Sequence, residues 1–501
     1  MALQSSDARM LAAALARAQA AQAVLQQENQ WLRQKLQAFI ARYLGGKKSE
    51  QLDPAQLQLL MAGLVELAVP ASSSPAKPVS STPIPRQTPV RQKLPPHLKT
   101  ETIRLEPEEV RQNPEGWKQI GEEVTETLDW QAAQFIRRLY VRPKYVRGER
   151  IEIAELPVRW LDKSLAEPGL AAQITLSKFE DHLPLYRQER IYRERYGVEL
   201  SRKTMGEWVE RVAFWLQSIW RVMKEELVGG GYLQVDETPI RYLDPDADGV
   251  SRKGFLWAYS RPGKDVVFDW NVSRGREGPE QFLAGFQGKL QSDGYAVYAA
   301  LAKDNPGVQL FFCWAHARRY FVEALESDRR AAWYIGQIAH LYRIEKRLRE
   351  KKAGARLRQA VRASESQMIL SRLKKALEKL QVKALPRSLL GTAVSYALNL
   401  WEGLERYVVH GEIEIDNNLI ENAIRPTALG KKNWLFIGHP EAGWRSAVIY
   451  SLLGSCRRHG VNTQEYLTDV LKRIPTMQAS QVKELTPSAW AKAQRSKPNK
   501  S

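Results

Sequence analysis

The chain has 501 residues, enough for about three domains of ordinary size, each able to bury its own core. Lys and Arg number 75 against 56 Asp and Glu, a formal charge of +19 beside an ordinary apolar content of 44%; the surplus points to a polyanionic partner, nucleic acid first and anionic membrane second. The two cysteines, Cys313 and Cys456, exclude a disulfide framework and a cysteine-built zinc site, no uncharged apolar run reaches membrane-spanning length, and "MALQSSDARM" lacks the marks of a secretory signal, so a reduced, soluble, cytoplasmic protein is expected.

In residues 1–50 an apolar stripe recurs every seventh residue at Leu11, Ala18, Leu25, Leu32 and Phe39, with Leu15, Gln22, Asn29, Leu36 and Tyr43 four residues on. This predicts a helix that pairs as a coiled coil, where the polar Asn29 favours a dimer of fixed register. A single amphipathic helix packed on its own domain is the alternative. A shorter helix over "SEQLDPAQLQLLMAGLVEL" completes a first unit, 1–69, and the Pro- and Ser-rich stretch 70–101 reads as an extended linker.

Residues 102–165 contain the strand-like runs "FIRRLYVRPKYVR" and "RIEIAEL" and read as a small, basic, β-rich unit. In 166–228 two helices flank a turn at Gly197. The second starts with Ser201 as N-cap and lines up Met205, Trp208, Val209, Val212 and Leu216 on one face, with Arg202, Lys203 and Arg211 on the other. That is the pattern of a DNA-binding helix-turn-helix, though a plain helical hairpin shares it.

From 229 to 325 the runs "GYLQVDETPIRYLD", "GFLWAYSRP" and "DVVFDWNVS" predict an antiparallel meander. "GPEQFLAGFQGK" (helix), "LQSDG" (strand), "YAVYAALAK" (helix), "VQLFFCW" (strand) and "AHARRYFVEAL" (helix) follow. The order βββαβαβα is that of a ribonuclease H-like core. Residues 326–405 read as a helical insertion, after which "GEIEID" at 411 is expected to resume the core as a strand, with a helix from about Asn418; the core then runs over 406–460. Between 343 and 387 fifteen Lys and Arg face four Asp and Glu, a local excess of +11 that suits a phosphate-tracking surface. A C-terminal helix and basic tail occupy 461–501. The expected fold class is thus multidomain α+β.

Three acids stand out by context. Asp236 interrupts an apolar strand, where a charge is unfavourable unless it is paired or metal-bound; Asp293 ends the short fourth strand; Glu421 lies in the helix after "IEIDNN". First and fourth strands are neighbours in the inferred topology, so two carboxylates meet at one place and a crossing helix brings the third. Such a site suits Mg²⁺ or Mn²⁺ and two-ion phosphodiester chemistry. Salt-bridged surface acids are the plainer reading. Asp416 and Glu237 are the competing acids, and strand alternation points Glu237 away from Asp236.

At these residues the sequence resembles a known family. "PLYRQERIYRERYGVELSRKTMGEWV", "QVDETP", "SDGYAVY", "CWAHARRYF", "DNNLIENAIRPTALGKKNWLFIG" and "SLLGSCRRHGVNTQEYLTDVL" are similar to the transposases of the insertion sequence 66 family, bacterial DDE enzymes, from the N-terminal stretch to about Ile474. The resemblance implies a catalytic triad of Asp236, Asp293 and Glu421, spaced by 57 and 128 residues, the longer gap holding the helical insertion. It also implies phosphate-holding roles for His316, Arg318, Arg319, Arg425, Lys431 and Lys432. The implied partners are double-stranded DNA (element ends and target), a second copy through the coiled coil, and accessory proteins of the same element, with no membrane and a nucleoid location when DNA-bound. One departure is plain: members of the family commonly carry a cysteine zinc knuckle near the "RPKY" segment, and this chain has no cysteine before Cys313, so no zinc is expected. The cations Arg137, Arg138, Arg142, Lys144, Arg147 and Arg150 are then the candidates for DNA-end recognition. An inactive DNA-binding regulator and a structure-selective nuclease on the same fold are the alternative readings.

Overall fold

The computed structural model describes residues 94–496 apart from 95, 97, 132, 133, 248 and 249, so the expected coiled coil, the helix after it and nearly all of the linker lie outside the described residues. Strand β1 (Lys99–Arg104) already begins inside the stretch expected to be linker. The small helix α1 (Glu108–Gln112) separates it from the hairpin of β2 (Lys118–Gln131) and β3 (Gln134–Arg147). β1 lies parallel to β3, and β4 (Arg150–Ile153) folds back on the end of β3. The expected β-rich unit is therefore a four-stranded sheet. Five of its six candidate cations are paired with acids: Arg137 with Glu126, Arg138 with Asp129, Arg142 and Lys144 with Glu123, and Arg150 with Glu109. Arg147 sits over the Trp117 ring. Much of the charge that marked this unit is thus neutralised within it.

Helices α2 (Pro168–Phe179), α3 (Leu185–Tyr196) and α4 (Arg202–Val228) follow. Gly197 ends α3 in the left-handed conformation, φ 64°, and the Ser201 hydroxyl accepts from the Thr204 N–H at 3.1 Å, capping α4 as expected. The stripe from Met205 to Leu216 is buried and extends through Ile219, Met223 and Leu227. It packs into the same hydrophobic core as the central sheet, and Trp220 Nε1 donates to the Phe268 carbonyl at 2.8 Å. The helical hairpin is therefore not a detached module; it covers one face of the sheet that follows.

That sheet contains β5 (Gly231–Asp244), β6 (Val250–Ser260), β7 (Val266–Asn271), β8 (Gly288–Ser292), β9 (Val308–Phe312) and β10 (Phe436–Ile437). The order is β7-β6-β5-β8-β9, with β10 added to β5; β6 and β7 are the antiparallel meander, and β8, β9 and β10 run parallel to their neighbours. The first and fourth strands are neighbours, as inferred. α5 (Glu277–Phe282) is only the first part of the helix expected there, and α6 (Ala296–Asp304) and α7 (Trp314–Leu325) match their predicted runs. The outer edge of β7 is covered by α14 (Gly443–His459), where Ser451 and Ser455 hydroxyls accept from the Phe268 and Val266 N–H groups in place of another strand.

Residues 94–316, 340–371 and 399–496 form one compact unit, and 317–339 with 372–398 a second. In the second, Phe321 stacks on Tyr334 at 5.1 Å and the Tyr334 hydroxyl donates to the Ala376 carbonyl at 3.0 Å. Between them the helices α8 (Ala331–Glu350), α9 (Ala355–Val361), α10 (Gln367–Gln381), α11 (Leu389–Asn399) and α12 (Trp401–Glu405) account for the expected insertion. Its positive excess is partly structural. Arg362, in a π-helical turn between α9 and α10, is fully buried against Glu345 with contacts of 2.7 and 2.8 Å, and Arg358 pairs with Glu414 at 2.8 Å.

The strand expected at 411 does not form. Ile413 and Ile415 are buried as their alternation requires, but the backbone between 413 and 416 is held by side chains instead of a ladder. Gln291 Nε2 donates to the Glu414 carbonyl and Gln234 Nε2 to the Asp416 carbonyl, both at 2.9 Å, the Tyr232 hydroxyl accepts from the Glu414 N–H, and Arg362 donates to the Ile413 carbonyl. The segment leads directly into α13 (Asn418–Trp434). α15 (Thr463–Arg473) and α16 (Pro487–Arg495) close the described chain. Among the described residues no helix is long and apolar enough to cross a membrane.

Candidate active site

β5 and β8 pair only as far as Gln234 and Gln291, then separate. Beyond that point β5 carries Pro239, which has no N–H to offer, and β10 takes up pairing again at Arg241. The two parallel strands part near the carboxyl end of β8, and the carboxyl ends of strands are the usual ligand position in such sheets. Asp236 lies on β5 just past the last pair and Asp293 just past the end of β8.

Local geometry fixes each carboxylate. Asp236 Oδ1 accepts from the Glu237 N–H at 2.8 Å, and Asp293 Oδ1 from the Tyr295 N–H at 2.9 Å. The turn after Asp293 requires Gly294 twice over: its φ is +94°, and a Cβ there would collide with Leu400. Glu421 is in the first turn of α13, with its Oε1 3.6 Å from His316 Nε2. The carboxyl of Asp236 is held well above its usual range, first by burial, then by the charges of Glu237, Asp293 and Glu421. That coupling places all three expected acids, from three distant stretches, in one electrostatic cluster.

The competing acids separate cleanly. Asp416 is buried and serves the backbone, its two oxygens accepting from Asn418 N–H (3.2 Å) and Asn418 Nδ2 (2.8 Å). Glu237 joins the cluster: it is buried, its charge raises Asp236, and it binds Arg274 through Oε1 at 2.6 and 2.8 Å. Arg274, in the loop after β7, was not visible as a site residue, since nothing in its local sequence sets it apart. Its guanidinium lies 4.1 Å from the Tyr295 ring centroid, and the Tyr295 hydroxyl donates to its carbonyl at 2.8 Å. It brings a positive charge against this acidic group, and it is half exposed.

The other expected cations fall in three places. Arg202, Lys203 and Arg211 are all exposed on α4, with Arg211 over the Phe214 ring. Arg425 is exposed one turn beyond Glu421, and Lys432 is exposed at the end of the same helix, whereas Lys431 donates to Thr238 Oγ1 (3.2 Å) and the Pro239 carbonyl (3.0 Å), fastening α13 to β5. Arg318 and Arg319 are exposed on α7 and belong to the smaller unit. His316, of the "CWAHARR" group, meets a carboxylate of the cluster, that of Glu421.

Models of known families match three stretches: the transposase IS66 family over residues 163–445, an IS66 C-terminal element over 451–488, and a region described as transposase C of IS166 homeodomain over 31–103. The uncharacterized protein y4jD of Sinorhizobium fredii (strain NBRC 101917 / NGR234) is 33% identical over 482 residues, covering 90% of this chain and 93% of its own. The uncharacterized protein y4qI of the same strain is 36% identical over 387 residues, 74% of this chain and 71% of its own. With over half of its length matched by the first of these families, the chain belongs to the IS66 transposases.

Proposed function

We propose that this transposase works by DDE chemistry: it binds the terminal repeats of its element, hydrolyses phosphodiester bonds at the element ends, and joins the 3′ ends to target DNA. The observation that carries the reading is the electrostatic cluster of Asp236, Asp293 and Glu421, two of them on or just after the neighbouring strands β5 and β8 of a sheet ordered β7-β6-β5-β8-β9. Converging carboxylates, one of them buried enough to resist ionisation, are unfavourable by themselves and fit a divalent cation with oxygen ligands, Mg²⁺ or Mn²⁺. Such ions, when bound, activate an attacking water or 3′-hydroxyl and stabilise the leaving oxygen of an in-line displacement.

The remaining work falls to the chain's own residues. Asp236, Asp293 and Glu421 hold the cations; the turn at Gly294 and the fastening of α13 by Lys431 keep the three carboxylates in register. Arg274, Arg425 and Lys432 present positive charge to the phosphates beside the reacting one. The outward cations of α4, Arg202, Lys203 and Arg211, serve as the helix-turn-helix contact to duplex backbone. The heptad stripe of residues 1–50, which lie outside the described residues, is the candidate for associating copies of the chain. Asp236→Asn, Asp293→Asn and Glu421→Gln should each abolish Mg²⁺-dependent end cleavage, and joining of pre-cleaved 3′ ends, while duplex binding persists. Full cleavage by any one of the three would overturn the assignment, and cleavage without joining by the wild type would make the protein a nuclease.

A further inference from the structure

Cys313 immediately precedes α7 and is fully buried, yet its sulfur is not an inert filler. It accepts from the Asn417 N–H at 3.4 Å at the start of α13, and lies close to the Ala315 and His316 N–H groups in the first turn of α7. One sulfur atom therefore joins the beginnings of two helices, one carrying His316 and the other Glu421. The donor atoms of Cys313, His316 and Glu421 all lie within 4.8 Å of one another.

We propose that Cys313, His316 and Glu421 form a second, thiophilic metal site, selective for Zn²⁺-like ions, that shares Glu421 with the oxygen-only cluster and so withdraws it from catalysis. Sulfur, nitrogen and oxygen donors together are the mixture that zinc accepts and that Mg²⁺ rejects. Three protein ligands leave a fourth position open. Bonds of about 2.0–2.3 Å require the three donors to close in by roughly an ångström, within reach of side-chain rotation because only Cys313 is fully buried. Burial favours the neutral thiol and the nearby N–H groups offset only part of that, so binding must displace the thiol proton, which is released to solvent as the metal–sulfur bond forms. Counting cysteines cannot reveal such a site, since its other ligands come from residues 316 and 421.

The binding claim stands apart from the proposed transposition chemistry; only its inhibitory consequence rests on that reading. Titration of the metal-free full-length chain with Cd²⁺ should produce a sulfur-to-metal charge-transfer band that persists in Cys456→Ser and is lost in Cys313→Ser. His316→Gln should keep the band but weaken Cd²⁺ affinity by at least about tenfold, as loss of a direct ligand demands. In Mg²⁺-driven cleavage, Cys313→Ser should tolerate at least about tenfold more Zn²⁺ than the wild type. Absence of the band in the wild type, or an equal band in Cys313→Ser, overturns the site. Equal Zn²⁺ sensitivity of the two proteins overturns the sharing of Glu421. Should Cys313→Ser fail to fold, the His316→Gln titration decides: unchanged Cd²⁺ affinity there refutes the proposal.

Discussion

Gln291 is fully buried in the sheet, and three other polar groups depend on it. Its Oε1 accepts from the Tyr232 hydroxyl and from Gln234 Nε2, and its Nε2 donates to the Glu414 carbonyl at 2.9 Å. Gln291→Met keeps the volume and removes the polarity. Gln234 retains two acceptors, Tyr232 and the Asp416 carbonyl, so it loses little. The Glu414 carbonyl and the Tyr232 hydroxyl proton are left without partners among the described residues. Each orphaned buried group costs about 1–3 kcal/mol, so the variant should lose roughly 2–6 kcal/mol, a large share of a typical stability margin. Tyr232→Phe leaves only the Glu414 N–H unsatisfied and should lose about 1–3 kcal/mol, and the double variant should lose less than the sum because the two share one bond. Urea unfolding of the three variants measures this. Because the held segment leads straight into the helix bearing Glu421, end cleavage should fall more than duplex binding in Gln291→Met. A loss below about 1 kcal/mol, or a larger loss in Tyr232→Phe than in Gln291→Met, would refute the view that side chains stand in for a strand ladder here.

Arg362→Met should destabilise by about 3–5 kcal/mol in the same assay, because buried Glu345 keeps only its 3.3 Å contact with Arg358 and the Tyr407, His410 and Ile413 carbonyls each lose a donor; adding Glu345→Leu should recover only part of that loss. Arg274→Ala should weaken duplex binding and lower the slope of its salt dependence by about one phosphate contact, with Mn²⁺ binding to the free protein retained; an unchanged slope would remove Arg274 from the DNA interface. Burial pushes the Asp269 carboxyl up to about 6 from 3.8. Its contribution to stability is therefore complete below the lower value and is lost as pH rises through the higher one. Asp269→Asn should match the wild type at pH 3.5 and exceed it in melting temperature above about pH 6; a constant offset across that range would rule the titration out.

Much of the sheet around the acidic cluster was legible because periodicity reports burial. Three alternating runs became the meander, Asp236 stood out as a charge in an apolar strand, and Ser201 and Gly197 marked the helix boundaries through capping chemistry. What periodicity cannot report is the identity of a hydrogen-bond partner. Alternation at Ile413 and Ile415 correctly announced an extended, half-buried segment, but whether its backbone meets a strand or a set of glutamines depends on residues more than a hundred positions away. Charge counting fails for the same reason. The basic excess of the insertion includes Arg358 and Arg362, which are inward ties to Glu414 and Glu345, and the cations of the N-terminal sheet are largely matched by acids across the ladder. Arg274 escaped notice because a cation in a surface loop is unremarkable until the fold sets it against Glu237.

The polar core and the acidic cluster are two consequences of one break in the sheet. Had β5 and β8 stayed paired beyond Gln234 and Gln291, Pro239 would have lacked a donor for the ladder. Ending the pairing early leaves open backbone and requires another element to close the gap. α13 does so, fastened by Lys431 to the β5 backbone at one end and, at the other, entered through the segment that Tyr232, Gln234 and Gln291 hold. The glutamines therefore belong to the logic of the site even though none touches a carboxylate of the triad. An apolar residue at either position favours a better-packed core and removes the device that positions the helix carrying Glu421, so the local rule against buried polar side chains is broken beside the acidic cluster.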